Sequence, residues 1–398
     1  MRILHVGKFY APVKGGMETS LRHQVEGLLD AGHDVRVLVA AAGRRTRRDD
    51  LPGAPGALVR VGAAGTWNSQ PLTLGLPRAL GHQLSGFRPE IVHLHTPNPL
   101  ACWAWRRQRT LAATVGARLA VWHHSDIVRQ RLTRRVIEPV VRRCLDDAAG
   151  ICVSSAHLRE SSRQLAVVRD RVAVIPFGID PRPFARPPTG DGPFLFVGRL
   201  VPYKGLATLL AAVAATPGAR LDIVGSGPLR QALARRIADA RLADRVRLLG
   251  EVPDEVLPEM LAACRALVLP SRDQSETFGL ILLEAMAAAR PVIASDLPTG
   301  VRDLARPGET GWLAPPGDEG ALADALASCL ADPAEADRRG RRGRALVEKQ
   351  YTRARLATRL LTWYEELLAR ETGGELANAH GVKDVDRSAS RPGDGPGN

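Results

Sequence analysis

Short apolar runs alternate with amphipathic stretches along almost the whole chain, and this alternation leaves few folds open. A strand that is apolar throughout must be covered on both faces, which a parallel sheet packed between helices achieves. The opening unit sets the pattern. Residues 3–6 read as a buried strand and residues 11–16 as a loop. A helix follows with Leu21, Val25 and Leu28 on one face and Gly32 at its stop. Residues 34–40 form the next strand, and 91–95, 119–123, 151–154 and 172–175 are further candidates.

The pattern then breaks. Pro181, Pro183, Pro187, Pro188, Gly190 and Gly192 make the stretch 179–193 a stiff linker unsuited to strand or helix. Beyond it the alternation restarts, with strands expected at 194–197, 221–224, 246–249, 266–269, 291–294 and 312–314. Helices are expected at 206–215 and 229–240. The reading is an α/β protein of two doubly wound, Rossmann-like domains, 1–178 and 194–350, facing across a cleft. Such folds place ligands outside the carboxyl ends of their strands. Leu356, Leu360, Trp363 and Leu367 recur at helical spacing, so a closing helix is expected over 351–370. The remainder, 371–398, is polar and rich in Gly, Asp and Ser, and is expected to be disordered.

Composition narrows the class. At 398 residues, with 45% hydrophobic and 24% charged residues, the chain is an ordinary globular one rather than a fibre or a coiled coil. The apolar run 206–215 is far short of the ~18–20 residues a spanning helix needs. The first residues lack a signal-peptide core, so the expected location is the cytoplasm. Cys102, Cys144, Cys152, Cys264 and Cys329 are odd in number and scattered, which suits buried free thiols. The net charge of +13 invites a nucleic-acid reading, but only five of the 55 basic residues are lysine and aromatics are 4%, too few for base stacking. No nucleic-acid partner is expected.

One stretch keeps a membrane in play. It begins at Ile127 and ends at Leu145, and sets Arg129, Arg131, Arg134, Arg135, Arg142 and Arg143 among Ile137, Val140, Val141 and other apolar residues. A basic amphipathic helix of this kind can rest on an anionic leaflet, as a peripheral contact at the inner face of the cell membrane. It can equally pack on its own sheet as a surface helix.

Three segments could carry chemistry. Gly15 and Gly16 lie between the first strand and the first helix, where the backbone can approach an anion; a plain turn would look the same. Arg199 and Lys204, in Gly198-Arg199-Leu200-Val201-Pro202-Tyr203-Lys204-Gly205, put two cations straight after a strand, which suits a diphosphate. The third runs from Pro270 to Glu284. Glu276 ends a polar loop, Gly279 and Leu280 open an apolar helix, and Glu284 lies inside that helix, where a carboxylate must find a partner or lose its charge. Two acids so spaced can reach one polyhydroxylated ligand whose phosphates lie on the helix start. The alternatives are a Glu284–arginine pair and a helix-start carboxylate at Glu276.

The E-x7-E segment with its F-G-L, preceded by G-R-x4-K-G and the N-terminal glycine loop, resembles the retaining nucleotide-sugar glycosyltransferases of family 4, which have the GT-B architecture. The resemblance spans about residues 1–370. The stretches I-V-H-L-H-T-P-N-P-L (91–100) and W-H-H-S-D-I-V-R-Q (122–130) are similar to members that build bacterial polysaccharides such as O-antigens.

That resemblance implies a sugar moved from a UDP- or GDP-linked donor to a saccharide or lipid-linked hydroxyl acceptor, with no cofactor and no metal. It implies Gly15, Gly16, Arg199, Lys204 and the amides near Gly279 and Leu280 at the donor diphosphate. It places Glu284 at the ribose, and Glu276 and His124 at the sugar. Related sequences usually show H-W-H-S-D where this chain has W-H-H-S-D, so His124 rather than His123 takes that place. It also implies that the closing helix returns to the N-terminal domain. A nucleotide-sugar epimerase on the same fold and an inactive nucleotide-sugar-binding protein are the alternatives. The histidines His93, His95, His123 and His124 lack a carboxylate or cysteine at ligand spacing, so no metal site is expected.

Overall fold

The computed structural model describes residues 1–67, 70–126 and 131–369. The tail 371–398 and the first four residues of the basic stretch lie outside them.

The first sheet takes β1 (Arg2–Val6), β2 (Asp34–Ala40), β3 (Arg47–Leu51) and β4 (Ala54–Val61). A two-stranded hairpin, β5 (Thr66–Trp67) with β6 (Gln70–Pro71), stands apart. The sheet is completed by β7 (Ile91–Thr96), β8 (Arg118–His123), β9 (Gly150–Val153) and β10 (Val172–Val174). Its spatial order is β10-β9-β8-β7-β1-β2-β4-β3. Every pairing is parallel except β3 with β4, at the edge of the sheet. Its helices are α1 (Gly16–Asp30), α2 (Leu76–Phe87), α3 (Pro99–Thr114), α4 (Arg131–Asp146) and α5 (Ala156–Ser161).

The second sheet contains β11 (Phe194–Val197), β12 (Leu221–Val224), β13 (Val246–Gly250), β14 (Leu267–Leu269), β15 (Val292–Ser295) and β16 (Gly311–Ala314). Its order is β13-β12-β11-β14-β15-β16, parallel throughout. Around it lie α6 (Leu206–Ala215), α7 (Arg230–Asp239), α8 (Leu257–Ala263), α9 (Leu280–Ala287), α10 (Val301–Leu304), α11 (Glu319–Ala331) and α12 (Pro333–Gln350). The two parallel α/β sheets of the GT-B architecture are therefore both present. Strand order reverses beside β1 in one sheet and beside β11 in the other, so each has a crevice at its carboxyl edge.

The linker is less featureless than its prolines suggest. A 3-10 turn covers Arg182–Phe184, and Ile179 bridges to Thr352 in parallel. That bridge starts the last helix, α13 (Arg353–Ala369), back toward the first sheet. There it packs on α1, with Arg353 salt-bridged to Glu26 at 2.5 Å and to Asp30 at 3.0 Å. Leu356, Leu360, Trp363, Tyr364 and Leu367 are all buried, the stripe that the helical spacing predicts. A Cβ on Gly150 would meet Leu367 Cδ2 at 2.5 Å, so the bare glycine is what lets α13 lie on β9.

All five cysteines are free and buried. Among the described residues no helix is long and apolar enough to cross a membrane. In the second half of α4, Val141, Cys144 and Leu145 are buried in the core, while Arg142 and Arg143 face outward. The apolar side of that half is thus already covered by its own domain.

Candidate active site

The segments singled out in the sequence all follow carboxyl ends of central strands. The glycine loop follows β1, His124 follows β8, Arg199 and Lys204 follow β11, and Glu276 follows β14. Topology therefore places each of them at the carboxyl edge of its own sheet.

Two loops of the C-terminal sheet are stitched together. The Arg272 amide donates to the Tyr203 carbonyl at 2.7 Å. Gly205 has φ 69°, and a Cβ there would meet the Pro270 carbonyl oxygen at 1.9 Å. Only glycine permits that conformation at that approach. The result is an ion pair across 72 residues of sequence, Lys204 Nζ to Glu276 Oε2 at 2.5 Å, with the side chains 12% and 10% exposed. Ser271 Oγ donates to the same carboxylate oxygen at 3.1 Å. Burial works against the Lys204 charge, but Glu276 and Tyr203 together more than offset it and hold the ammonium above its ordinary range. The sequence placed these two groups in one site without pairing them. Arg199 is exposed, and its guanidinium has no ion-pair or hydrogen-bond partner among the described residues.

Gly279 caps α9 with φ 79°, and a Cβ there would press on Leu269 Cδ2 at 2.9 Å. The backbone turns sharply there, and Leu280 starts the helix. Glu284, one turn further on, is half-buried. Burial pushes its carboxyl up to about 7, against the pull of Arg22 on α1, while Asp254 adds to the rise. The Glu284–arginine alternative is present only as this through-space attraction: no hydrogen bond joins them among the described residues.

On the facing side, Gly15 precedes α1 and Gly16 begins it. A Cβ on Gly15 would meet Glu18 Oε2 at 2.2 Å, whereas Gly16 faces open space. The sequence assigned no role to Glu18 or Lys8. Burial raises the Glu18 carboxyl despite its own backbone hydrogen bond and the cations Lys8 and Arg199. Burial lowers the Lys8 ammonium, Glu18 opposes that, and Arg199 adds to it. These three groups sense one another although Arg199 belongs to the other sheet. Lys8 carried a signal that went unused, being one of only five lysines in the chain. A further link closes the cleft edge, Lys14 Nζ to Asp254 Oδ1 at 2.7 Å.

His124 is 5% exposed, and its amide donates to the Thr96 carbonyl at 2.9 Å. Its ring stacks on Phe177 with centroids 5.9 Å apart, and Phe177 meets Phe278 edge-on at 5.0 Å. An aromatic bridge thus joins His124 to the segment that holds Glu276. His123 points elsewhere, to Asp126 Oδ1 and Thr96 Oγ1, each at 3.0 Å.

Behind His124 lie His95, His5 and His93, all fully buried. His5, His93 and His95 each bring a ring nitrogen within 4.8 Å of the others. The geometry has room for an ion, but the cluster contains no carboxylate to offset a buried dication's charge. His123 and His124 are outside that group.

The chain matches the family described as glycosyl transferase 4-like domain over residues 15–178 and the family described as glycosyl transferases group 1 over residues 182–346. It is 30% identical to the O-antigen chain mannosyltransferase C of Escherichia coli, over 92% of this chain and 99% of that protein. It is 34% identical to the D-rhamnosyltransferase WbpZ of Pseudomonas aeruginosa, over 58% of this chain and 63% of that one. Among solved structures, the sucrose-phosphate synthase of Thermosynechococcus elongatus aligns with a TM-score of 0.79 at 25% identity, covering 93% of this chain and all of that one.

Proposed function

Since the chain belongs to the group 1, family 4 glycosyltransferases, retaining enzymes of GT-B fold that use nucleotide-sugar donors, we propose that it transfers a sugar of manno configuration to a saccharide hydroxyl, in a growing or lipid-linked polysaccharide. Mannose and D-rhamnose, its 6-deoxy form, are named for two relatives and share that configuration. In this reading residues 1–178 bind the acceptor, 194–350 bind the donor, and 179–193 join them.

The observation that carries the assignment of roles is the convergence of Arg199, Lys204 and Glu276 opposite His124. Arg199 and Lys204 neutralise the donor diphosphate, with amides at Gly279, Leu280, Gly15 and Gly16 assisting. Glu284 accepts from the ribose hydroxyls. The bond from the anomeric carbon to the phosphate oxygen breaks, and the acceptor oxygen bonds to the same face. The acceptor proton passes to the departing phosphate oxygen, so no side chain is needed as a base. Positive charge grows on the sugar as that bond breaks, and Glu276 stabilises it. His124 holds the sugar from the opposite wall.

Incubation with UDP-, GDP-, ADP- and dTDP-sugars tests the reading. A GDP-linked manno donor consumed only in the presence of a saccharide acceptor is the expected result. Conversion of the donor without acceptor would instead make the protein an epimerase. Thermal shift with the free diphosphates identifies the base, since a ligand at 100 times its Kd stabilises by ~2.7 kcal/mol. Contact with an anionic leaflet runs through the arginine side of α4, its described apolar residues being packed inward. Equal flotation with anionic and neutral vesicles would end that idea.

A further inference from the structure

Three histidines from three different strand ends form one hydrogen-bonded line. His5 Nδ1 meets His95 Nε2 at 3.1 Å, and His95 Nδ1 meets His124 Nε2 at 3.0 Å. All three rings are buried, and the rings of His95 and His124 are stacked. A neutral imidazole has one N–H and one lone pair, so each ring inside such a line must donate on one side and accept on the other. A cationic His95 would donate on both sides, but burial away from any carboxylate holds it neutral. Two ordered states remain.

In one, protons run outward. His5 donates from Nδ1, His95 donates from Nδ1, and His124 is left with its proton on Nδ1. In the other they run inward, and His5 carries its proton on Nε2. His5 Nε2 is buried without any hydrogen-bond partner. The inward state therefore strands an N–H, whereas the outward state strands only a lone pair, and orphaned buried N–H groups are the rarer and costlier of the two.

We infer that His95 and His5 are positioning residues for His124: their hydrogen-bonded line fixes His124 as the Nδ1–H tautomer, so that it meets the donor sugar as a hydrogen-bond donor. This rests on the reading of His124 at the sugar. Free neutral histidine favours the other tautomer, so the line imposes a state that His124 would not adopt alone. It also assigns work to His5 and His95, whose side chains do not need to touch the donor.

Nitrogen-15 NMR of the histidine-labelled full chain at pH 8 reads the tautomer directly, without substrate or substitution. An Nδ1–H pattern at His124 is expected; an Nε2–H or averaged pattern overturns the ordered line. Kinetics then test the connection. His95→Leu removes the donor to His124 and should lower kcat about tenfold, as for one lost hydrogen bond. His95→Asn keeps an amide N–H near the Nδ1 position and should recover most of that loss. The double variant H95L/H124A should be no slower than H124A, because His95 acts through His124. Additive losses would sink the positioning role. An H124A enzyme with unchanged kcat but a parent Nδ1–H signal at His124 would instead sink the sugar-facing assignment and leave the ordered line standing.

Discussion

On the wall supplied by the C-terminal sheet, much of the polarity is kept as charge. Lys204 and Glu276 are paired while largely buried, and Arg199 stands exposed beside them. On the wall supplied by the N-terminal sheet, much of the buried polarity is neutral. His5, His95 and His124 are held below the ordinary histidine range by burial. A buried charge needs a partner, whereas a buried imidazole can simply stay neutral. The difference teaches a division of labour: the charged wall suits a diphosphate and a developing cation, and the neutral wall suits hydroxyl groups, whose charge does not change.

The sharpest way to break this comparison is Glu276→Gln, which keeps the shape and removes the charge. If Glu276 stabilises positive charge on the reacting sugar, kcat should fall about 10²- to 10³-fold, with nucleotide affinity nearly intact. Initial rates and calorimetry with the nucleoside diphosphate give both numbers, and an unchanged kcat with lost affinity would reverse the assignment. A step smaller, Lys204→Ala should weaken nucleoside diphosphate binding roughly 10- to 100-fold, the effect of one charged contact. A nucleoside without phosphates should bind variant and parent alike; equal losses for both would remove Lys204 from the phosphates.

Glu284→Gln should have the smallest effect. The ribose does not change in the reaction, so KM should rise several-fold, about 1 kcal/mol, with kcat little altered. The variant also has a signature in stability. Burial raises the Glu284 carboxyl from its ordinary 4.5 to about 7. The folded state then binds more protons than the unfolded one between those values, so this group's contribution falls as pH rises from about 4.5 to about 7 and is level above. Melting curves of the Gln variant should lack that decline and lie above the parent at pH 8. A parallel decline in both proteins would show that Glu284 is not its source.

The parallel strands were legible because each is a short apolar run, and β2, β11 and β12 fall where the runs lie. The edge of the first sheet was not. β3 reads Arg-Arg-Asp-Asp-Leu, with no apolar run, and β4 contains a charged residue near its end. That residue, Arg60, is buried because it donates to Asp49 Oδ2 at 2.5 Å and to the carbonyls of Tyr10 and Ala11. Hydrophobic patterning cannot anticipate a partner that lies elsewhere in the chain. The candidate site shows the same limit. Motifs located Lys204 and Glu276, but their pairing depends on the approach of Gly205 to Pro270. His93, His95 and His124 were visible as residues. The line through His5 became visible only when β1 was seen to pair with β7.

The helix that closes the molecule also sets the order in which the protein can be completed. Its Tyr364 hydroxyl is hydrogen-bonded to His93 Nδ1, and Trp363 and Leu367 lie over Gly150. The ribosome has finished the first sheet by Val174, yet the piece that covers it ends at Ala369. At roughly 5–20 residues per second, that sheet waits about 10–40 s with part of its core uncovered. The portion of the chain made first is therefore the portion finished last, and a nascent chain stopped at the linker would leave the ribosome with its oldest domain still open.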